Sequence, residues 1–200
     1  MKKKPIPEGL TVNGWTLYAH PLFLEQLEKL CIRSEIKLTL VPPQKLGTET
    51  VSSSLIRKRL KSGDVLRANE FLVAPFKYQG VVRKGDGRGR QIGFPTANLI
   101  VDEKLTLPFG VYETRVQVRS PKVIEEKMSA VTNVGVRPTF GKNDLAPLVE
   151  THIIDKDIDL YGRELRVEFL RMIRPERLFS GVTELITQIR IDIEQVRKSS

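Results

Sequence analysis

The spacing of apolar residues in the N-terminal part of the chain alternates between helical and strand-like. Residues 20–31 carry leucines at helical spacing, and residues 36–43 alternate like a short strand that ends at two prolines. Residues 52–61 predict a basic helix, and Asp64 is expected to cap the next short helix. Up to about residue 75, the pattern therefore predicts a small α/β segment.

From about residue 76 onward, apolar and polar residues mostly alternate, as is typical of strands with one buried face. The strand candidates are residues 77–83, 111–118, 128–134, 148–154 and 164–173. Within them, one shared face holds Tyr112, Thr114, Val116 and Val118, and another holds Leu165, Val167, Phe169 and Ile173. About six strands separated by turns rich in Gly and Pro predict a closed or nearly closed antiparallel barrel.

The C-terminal stretch, residues 181–198, returns to helical spacing. One apolar stripe of this helix holds Val182, Leu185, Ile186, Ile189, Ile193 and Val196. We expect this helix to pack on the barrel. The pattern changes near Ala74 and Pro75, so the predicted domains are an N-terminal segment of residues 1–74 and a barrel domain of residues 75–200.

Composition narrows the classes of protein that fit this pattern. The chain has 200 residues, 40% of them hydrophobic, and no apolar run approaches the roughly 20 residues that span a bilayer. The single cysteine, Cys31, excludes an internal disulfide and a cysteine-built zinc site, so we expect a cytoplasmic protein. The net charge of +9 favours anionic partners such as nucleotides. The sequence has no stripe of basic residues interleaved with aromatic ones, and this absence argues against nucleic acid as a partner. A monomer is the expected state.

Residues 85–93 form a segment rich in glycine, called the glycine loop below. It contains Gly85, Gly87, Gly89 and Gly93, together with Arg88 and Arg90. Glycine allows the backbone to approach a ligand closely, and backbone N–H groups in such a loop can bind an anion. The spacing differs from that of the Walker loop, which ends in Lys-Ser or Lys-Thr. Taken alone, the loop also fits a hairpin tip with no ligand.

Thr96 and Asn98 follow this loop at a spacing of two residues. In an extended segment, both side chains point to the same side. Two neutral oxygens suit Mg²⁺ when phosphates supply the negative charge. Ordinary turn chemistry explains the same residues without a ligand, so only the adjoining glycine loop favours a metal site.

Glu150 lies in a stretch whose two faces are both partly apolar. One face holds Leu148, Glu150, His152 and Ile154, and the other holds Val149, Thr151 and Ile153. A carboxylate on an inward face is costly, so an inward Glu150 would mark a candidate general base. The pattern leaves open which face is inward. His152 is given no chemical role.

Several separated motifs resemble one family in the same order. They are GVVRKGDGRGRQIGFPTANL, LPFGVYETRV, VTNVGVRPTF, LVETHIIDKDIDLYGRELRVEFLRMIRPERLF and ELITQIRIDIE. Together they cover about residues 76–195 and resemble the riboflavin kinase domain of bacterial bifunctional riboflavin kinase/FAD synthetases. The resemblance implies a mainly β fold, a six-stranded antiparallel Greek-key barrel with a C-terminal helix. It also implies an ATP- and Mg²⁺-dependent kinase that converts riboflavin to FMN.

The resemblance implies roles for particular residues as well. Thr96 and Asn98 would hold Mg²⁺ and phosphate, and Glu150 would take the proton from the riboflavin 5′-hydroxyl. Arg174 and Phe179 would belong to the loop that closes over the flavin. The ATP phosphates would be covered by Gly85, Gly87, Arg88, Gly89 and Gly93. The alternative is a non-catalytic flavin- or nucleotide-binding regulator that could also contact nucleic acid.

The N-terminal segment resembles the end of the family's other module, the nucleotidyltransferase that makes FAD. VSSSLIR, residues 51–57, is similar to its I-S-S-T-x-I-R pattern, with Ser54 in the threonine position. The G-x-x-H-x-G-H-like signature of that module is absent from the sequence, whose two histidines are His20 and His152. We therefore expect residues 1–74 to be a truncated remnant of that module, and we expect no synthesis of FAD.

Overall fold

The computed structural model describes residues 9–12, 15–18, 21–41, 43–101, 106–119, 126–137 and 146–199. The chain divides into two compact units, Met1–Ser52 and Ser53–Ser200. Every element of the candidate site described below belongs to the second unit.

Among its described residues, the first unit holds a small sheet, one helix and a short ribbon. Its elements are β1 (Gly9–Val12), β2 (Trp15–Tyr18), α1 (Pro21–Arg33), β3 (Thr39–Val41), β4 (Lys45–Leu46) and β5 (Glu49–Thr50). The sheet is antiparallel in the order β2-β1-β3, and β4 pairs with β5. The predicted helix and strand are present as α1 and β3, whereas Pro42, the expected strand end, lies outside the described residues.

Two helices, α2 (Ser53–Lys61) and α3 (Val65–Glu70), precede the barrel. Their apolar residues in the barrel core are Leu60, Val65 and Ala68. Asn69 ties α3 to the barrel, because its amide donates to Phe169 O at 2.8 Å and its oxygen accepts from Phe76 N at 2.8 Å. These contacts place both helices with the barrel in the second unit.

Asp64 occupies the position before α3, as predicted, but its side chain makes no capping hydrogen bond. Its carboxylate instead accepts a hydrogen bond from Arg59 Nη1 at 3.0 Å. The expectation that this side chain caps α3 is therefore wrong, because the carboxylate is engaged by a nearby cation.

Six strands form the barrel: β6 (Lys77–Arg83), β7 (Ala97–Ile100), β8 (Gly110–Val118), β9 (Met128–Arg137), β10 (Ala146–Ile153) and β11 (Glu164–Pro175). They close antiparallel in the order β10-β7-β6-β11-β8-β9. A short helix, α4 (Arg88–Gln91), lies between β6 and β7, and α5 (Val182–Arg197) follows β11. The predicted mainly β fold, a six-stranded antiparallel barrel with a C-terminal helix, is confirmed.

Alternate residues of the strands fill the barrel, and the predicted faces of β8 and β11 are buried up to Phe169. Ile173 departs from the prediction, because the pairing of β11 shifts register after Phe169 and again after Met172. A bulge adds an unpaired residue and so changes the face on which the following residues lie. Met172 therefore packs against the interior core, and Ile173 packs against a second cluster.

The second cluster attaches α5 to the outer wall of the barrel. Its buried members are Val111, Val131, Ile154, Ile193 and Val196. Ile193 and Val196 belong to the stripe predicted from the sequence, so the packing of the C-terminal helix is confirmed. Leu185 and Ile189, which come earlier in the same stripe, line a cavity, and Ile189 also packs against this cluster. In the described part of the chain, no helix combines the length and the apolar character needed to cross a membrane.

Candidate active site

Burial along β10 decides the orientation of Glu150. Val149, Thr151 and Ile153 are 0%, 1% and 5% exposed, so they fill the barrel interior. Glu150 and His152 therefore lie on the outer face of the barrel wall. This face is not open solvent, because it borders a cavity of about 750 Å³. A buried inner face and a covered outer face explain why both faces of the stretch are partly apolar.

Four parts of the chain enclose this cavity: the outer faces of β7 to β10, the glycine loop with α4, the end of β11 with the segment that follows it, and α5. The predicted site residues that line it are Gly87, Arg88, Gly89, Thr96, Asn98, Glu150, Arg174 and Phe179. Gly85 and Gly93 are not among its lining residues. The fold thus brings residues from four separated motifs to one cavity.

A row of three polar residues crosses the wall of the cavity. Glu150 on β10 pairs with Asn98 on β7 and with Asn133 on β9. Residues directly opposite each other in antiparallel strands have Cβ atoms about 5 Å apart, so these side chains are neighbours. All three line the cavity. The row places one carboxylate, a possible proton acceptor, between two amides that can donate and accept hydrogen bonds.

The glycine loop packs directly against the segment that carries Thr96 and Asn98. A Cβ atom on Gly85 would lie 2.4 Å from Asn98 Nδ2. One on Gly89 would lie 2.4 Å from Phe94 O and 3.1 Å from Thr96 Oγ1. Since real Cβ atoms do not approach so closely, glycine at both positions permits this packing. The loop is not a free hairpin tip, because it contains α4 and because Phe94 N donates to Gly89 O at 2.8 Å.

His152 supports the turn before Thr96. Its Nδ1 lies 2.8 Å from Pro95 O, and because a carbonyl oxygen only accepts, Nδ1 is the donor. The His152 ring also packs edge-on against Phe94, with the ring centroids 5.7 Å apart. These contacts give His152 a structural role at the edge of the cavity.

Two arginines and an aromatic ring form another part of the cavity wall. Arg174 Nε lies 3.1 Å and 3.0 Å from the two carboxylate oxygens of Asp192, which is 1% exposed. The guanidinium carbon of Arg174 is 5.5 Å from the centroid of the Phe179 ring, and that of Arg177 is 4.6 Å from it. At these distances both cations attract the ring. This part of the cavity presents aromatic and cationic surface beside apolar residues of α5.

Besides His152, five polar residues that line the cavity were not among the predicted site residues: Asp86, Asn133, Glu176, Arg177 and Asp192. Asp192 carried a signal, since it falls on the apolar stripe of α5, three residues after Ile189. Asn133 carried a weaker one, because it alternates with residues of β9 that fill the barrel. Arg177 lies between β11 and α5, where no periodic pattern indicates which side chains face the cavity.

The outer wall of a closed antiparallel barrel, its glycine loop and its C-terminal helix enclose a cavity lined by both apolar and polar residues, as is typical of proteins that bind small molecules. The family model of riboflavin kinase, also called flavokinase, matches residues 72–200. The chain belongs to the riboflavin kinase family, as its motifs indicated.

Its relatives include bifunctional riboflavin kinase/FMN adenylyltransferases. The one from Bacillus subtilis is 39% identical over 147 residues, which cover 72% of this chain and 45% of that protein. The one from Listeria monocytogenes is 35% identical over 162 residues, which cover 80% of this chain and 50% of that protein. The chain thus spans about half the length of these relatives. A crystal structure described as a macrolide-efflux protein from Streptococcus pneumoniae matches with a TM-score of 0.73 and 33% identity, covering 85% of this chain and 54% of that one.

Proposed function

We propose that this chain is a riboflavin kinase that transfers the γ-phosphate of ATP to the 5′-hydroxyl of riboflavin and releases FMN and ADP. The observation that carries the proposal is the row of Asn98, Glu150 and Asn133 in the cavity, with the glycine loop packed against Asn98. Membership of the riboflavin kinase family supports the choice of substrates. Incubation with riboflavin and ATP, followed by chromatographic detection of FMN, tests it.

Glu150 acts as the general base in this proposal. A primary alcohol is a weak nucleophile, and a carboxylate that accepts its proton assists attack. The proton moves from the 5′-hydroxyl to Glu150 while the hydroxyl oxygen bonds to the γ-phosphorus. The bond from that phosphorus to the bridging oxygen breaks, and ADP leaves. Because phosphoryl transfer depends mainly on positioning and charge neutralisation, the other cavity residues act by holding the two substrates.

Thr96 and Asn98 would hold Mg²⁺ together with the nucleotide. Both line the cavity, and both offer a neutral oxygen. Mg²⁺ is usually held by one or two protein groups, with phosphate oxygens and water completing its coordination shell. The two oxygens of Thr96 and Asn98 match this requirement. The absence of a Cβ at Gly85 leaves room for the Asn98 side chain in its present position. When bound, the ion neutralises phosphate charge.

The two substrates find different surfaces in the cavity. The glycine loop offers backbone N–H groups to phosphates. Arg88 adds charge, since its side chain is 86% exposed and its nearest carboxylate, on Asp86, is 3.6 Å away. Phe179 and the apolar residues of α5 suit a planar aromatic ring such as that of a flavin.

Thr96→Ala is expected to raise the Mg²⁺ concentration needed for half-maximal FMN formation on the order of tenfold, because it removes one hard oxygen ligand. Titration of Mg²⁺ at fixed ATP measures this. Thr187→Ala is the control, since the Thr187 hydroxyl donates to Thr183 O at 2.9 Å on α5 and the residue does not line the cavity. An unchanged Mg²⁺ requirement in Thr96→Ala would mean that Thr96 is only a turn residue.

We further propose that this chain makes FMN and does not convert FMN to FAD. The support is the missing histidine-containing signature of the nucleotidyltransferase module. Incubation with FMN, ATP and Mg²⁺ is expected to give neither FAD nor pyrophosphate above a protein-free blank. Clear formation of FAD would overturn this proposal and leave the kinase proposal standing.

Among the described residues, no contact favours the non-catalytic regulator over the kinase. A carboxylate between two amides has a use in proton transfer that a binding protein does not need. The monomeric state and the cytoplasmic location expected from composition remain proposals.

A further inference from the structure

The segment between β11 and α5 places a single ring at the cavity. Of residues 175–184, all of which are described, Phe179 alone is partly buried. Its neighbour Leu178 is 98% exposed. Apolar burial therefore gives this segment little support, and other contacts must keep Phe179 at the cavity wall.

The two guanidinium groups near the Phe179 ring are each held by a carboxylate of α5. Arg174 is paired with the buried Asp192 at 2.9 Å. Arg177 is paired with Glu184, with Arg177 Nη2 2.8 Å from Glu184 Oε1. Both carboxylates come from one helix, so α5 fixes the ring indirectly through two cations.

Glu184 makes a second link with its other oxygen. Its Oε2 accepts hydrogen bonds from Ser180 N and from Ser180 Oγ, each at 2.8 Å. Phe179 thus lies between two residues that Glu184 holds, Arg177 and Ser180. These hydrogen bonds, with the charge of Arg177, lower the pKa of the Glu184 carboxyl, so the charged form that makes the contacts prevails at neutral pH.

Through its ion pair with Arg177, Glu184 contributes little to folding. Its side chain is 43% exposed, and ion pairs at such sites are weak and screened by salt. Its three contacts all go to the segment that carries Phe179, and it does not line the cavity itself. These contacts indicate that Glu184 sets the position of the segment that carries Phe179.

We propose that Glu184 is a positioning residue for the flavin: it holds Arg177 and Ser180 so that Phe179 stays at the cavity wall, where the ring of riboflavin binds. This inference rests on the proposed kinase function. It gives α5 a role beyond packing on the barrel and lining the cavity, because the first turn of the helix anchors the wall that meets the flavin.

Glu184→Gln tests the inference, since glutamine keeps the size of the side chain and removes the charge. The KM for riboflavin is expected to rise roughly two- to fivefold, the loss of one exposed charge-assisted link. We expect kcat and the KM for ATP to stay within about twofold, because binding is lost equally from the ground and transition states. Riboflavin binding, followed by quenching of flavin fluorescence, should weaken by a similar factor.

Glu194→Gln is the matched control, because Glu194 lies on the same helix, pairs with Arg197 and does not line the cavity. We expect its riboflavin KM to equal that of the wild type. In an Arg177→Gln background, Glu184→Gln should raise the KM much less than in the wild type.

The possible results distinguish a failure of the positioning role of Glu184 from a failure of the proposed kinase function. A wild-type chain that forms no FMN would overturn the proposed function. A wild type that forms FMN, with the same riboflavin KM and the same fluorescence binding curve in Glu184→Gln as in Glu194→Gln, would overturn the positioning role. Equal losses of kcat, ATP binding and melting temperature in Glu184→Gln would also overturn it, because a general structural role predicts them.

Discussion

Replacing Glu150 by glutamine is expected to lower the rate of FMN formation by ~10²- to 10⁴-fold, the usual contribution of a general base. Glutamine keeps the size and the hydrogen-bonding capacity of glutamate but accepts no proton at neutral pH. Binding of ADP and of FMN should change far less, because the phosphate contacts are assigned to Thr96, Asn98 and the glycine loop. Steady-state turnover, calorimetry of nucleotide binding and a melting curve on the same variant measure the three quantities.

Glu164→Gln provides the control for this experiment. Glu164 also lies on a barrel strand, but it pairs with Arg119 at 3.0 Å at the exposed surface and does not line the cavity. We expect its turnover to match the wild type. Turnover of Glu150→Gln within about threefold of the wild type is too small a change for a lost general base and would contradict the assignment.

Gly85→Ala is expected to lower FMN formation on the order of 10²-fold, the typical result of displacing a positioning group by about 1 Å. The new Cβ would lie 2.4 Å from Asn98 Nδ2 and 2.8 Å from Asn98 Cγ, so the amide must move. Gly85 is not among the described residues with positive φ, so alanine fits its backbone and the melting temperature should change little.

A double-mutant cycle shows whether the Gly85 effect acts through Asn98. If it does, Gly85→Ala costs little further activity in an Asn98→Ala background, because the displaced group is already gone. If the losses of activity from Gly85→Ala and Asn98→Ala were independent and additive, the Gly85 effect would not act through Asn98. Full activity of Gly85→Ala alone would show that the position of the Asn98 side chain does not limit catalysis.

Five of the six barrel strands were predictable because most have one buried face and are separated by segments that contain Gly or Pro. The alternation in β8 and in the first half of β11 coincides with the residues that fill the interior. It fails at Ile173, because a bulge changes the face without leaving a mark in the sequence. The direction of Glu150 was likewise undecidable, since the outer face of β10 is covered by a cavity and is itself partly apolar.

The candidate site was predictable where a motif is short and local. The glycine loop, Thr96 and Asn98 lie within fourteen residues of one another, and the fold keeps them in contact. For residues that reach the cavity from distant elements, the sequence pattern gives weaker evidence that they line it. Asp192 is the instructive case, because a carboxylate on an apolar helical stripe already indicates a buried partner, here Arg174.

The central claim is that this cavity transfers phosphate from ATP to a flavin with Glu150 as the base. The most direct measurement follows ATP labelled at the γ-phosphate, mixed with riboflavin, Mg²⁺ and either the wild-type chain or Glu150→Gln. The account predicts that the wild type places the label on FMN with one ADP formed per FMN, and that Glu150→Gln binds nucleotide yet forms FMN at least ~10²-fold more slowly. A folded wild-type chain that leaves riboflavin unlabelled, or a Glu150→Gln variant that labels it at the wild-type rate, would contradict the account.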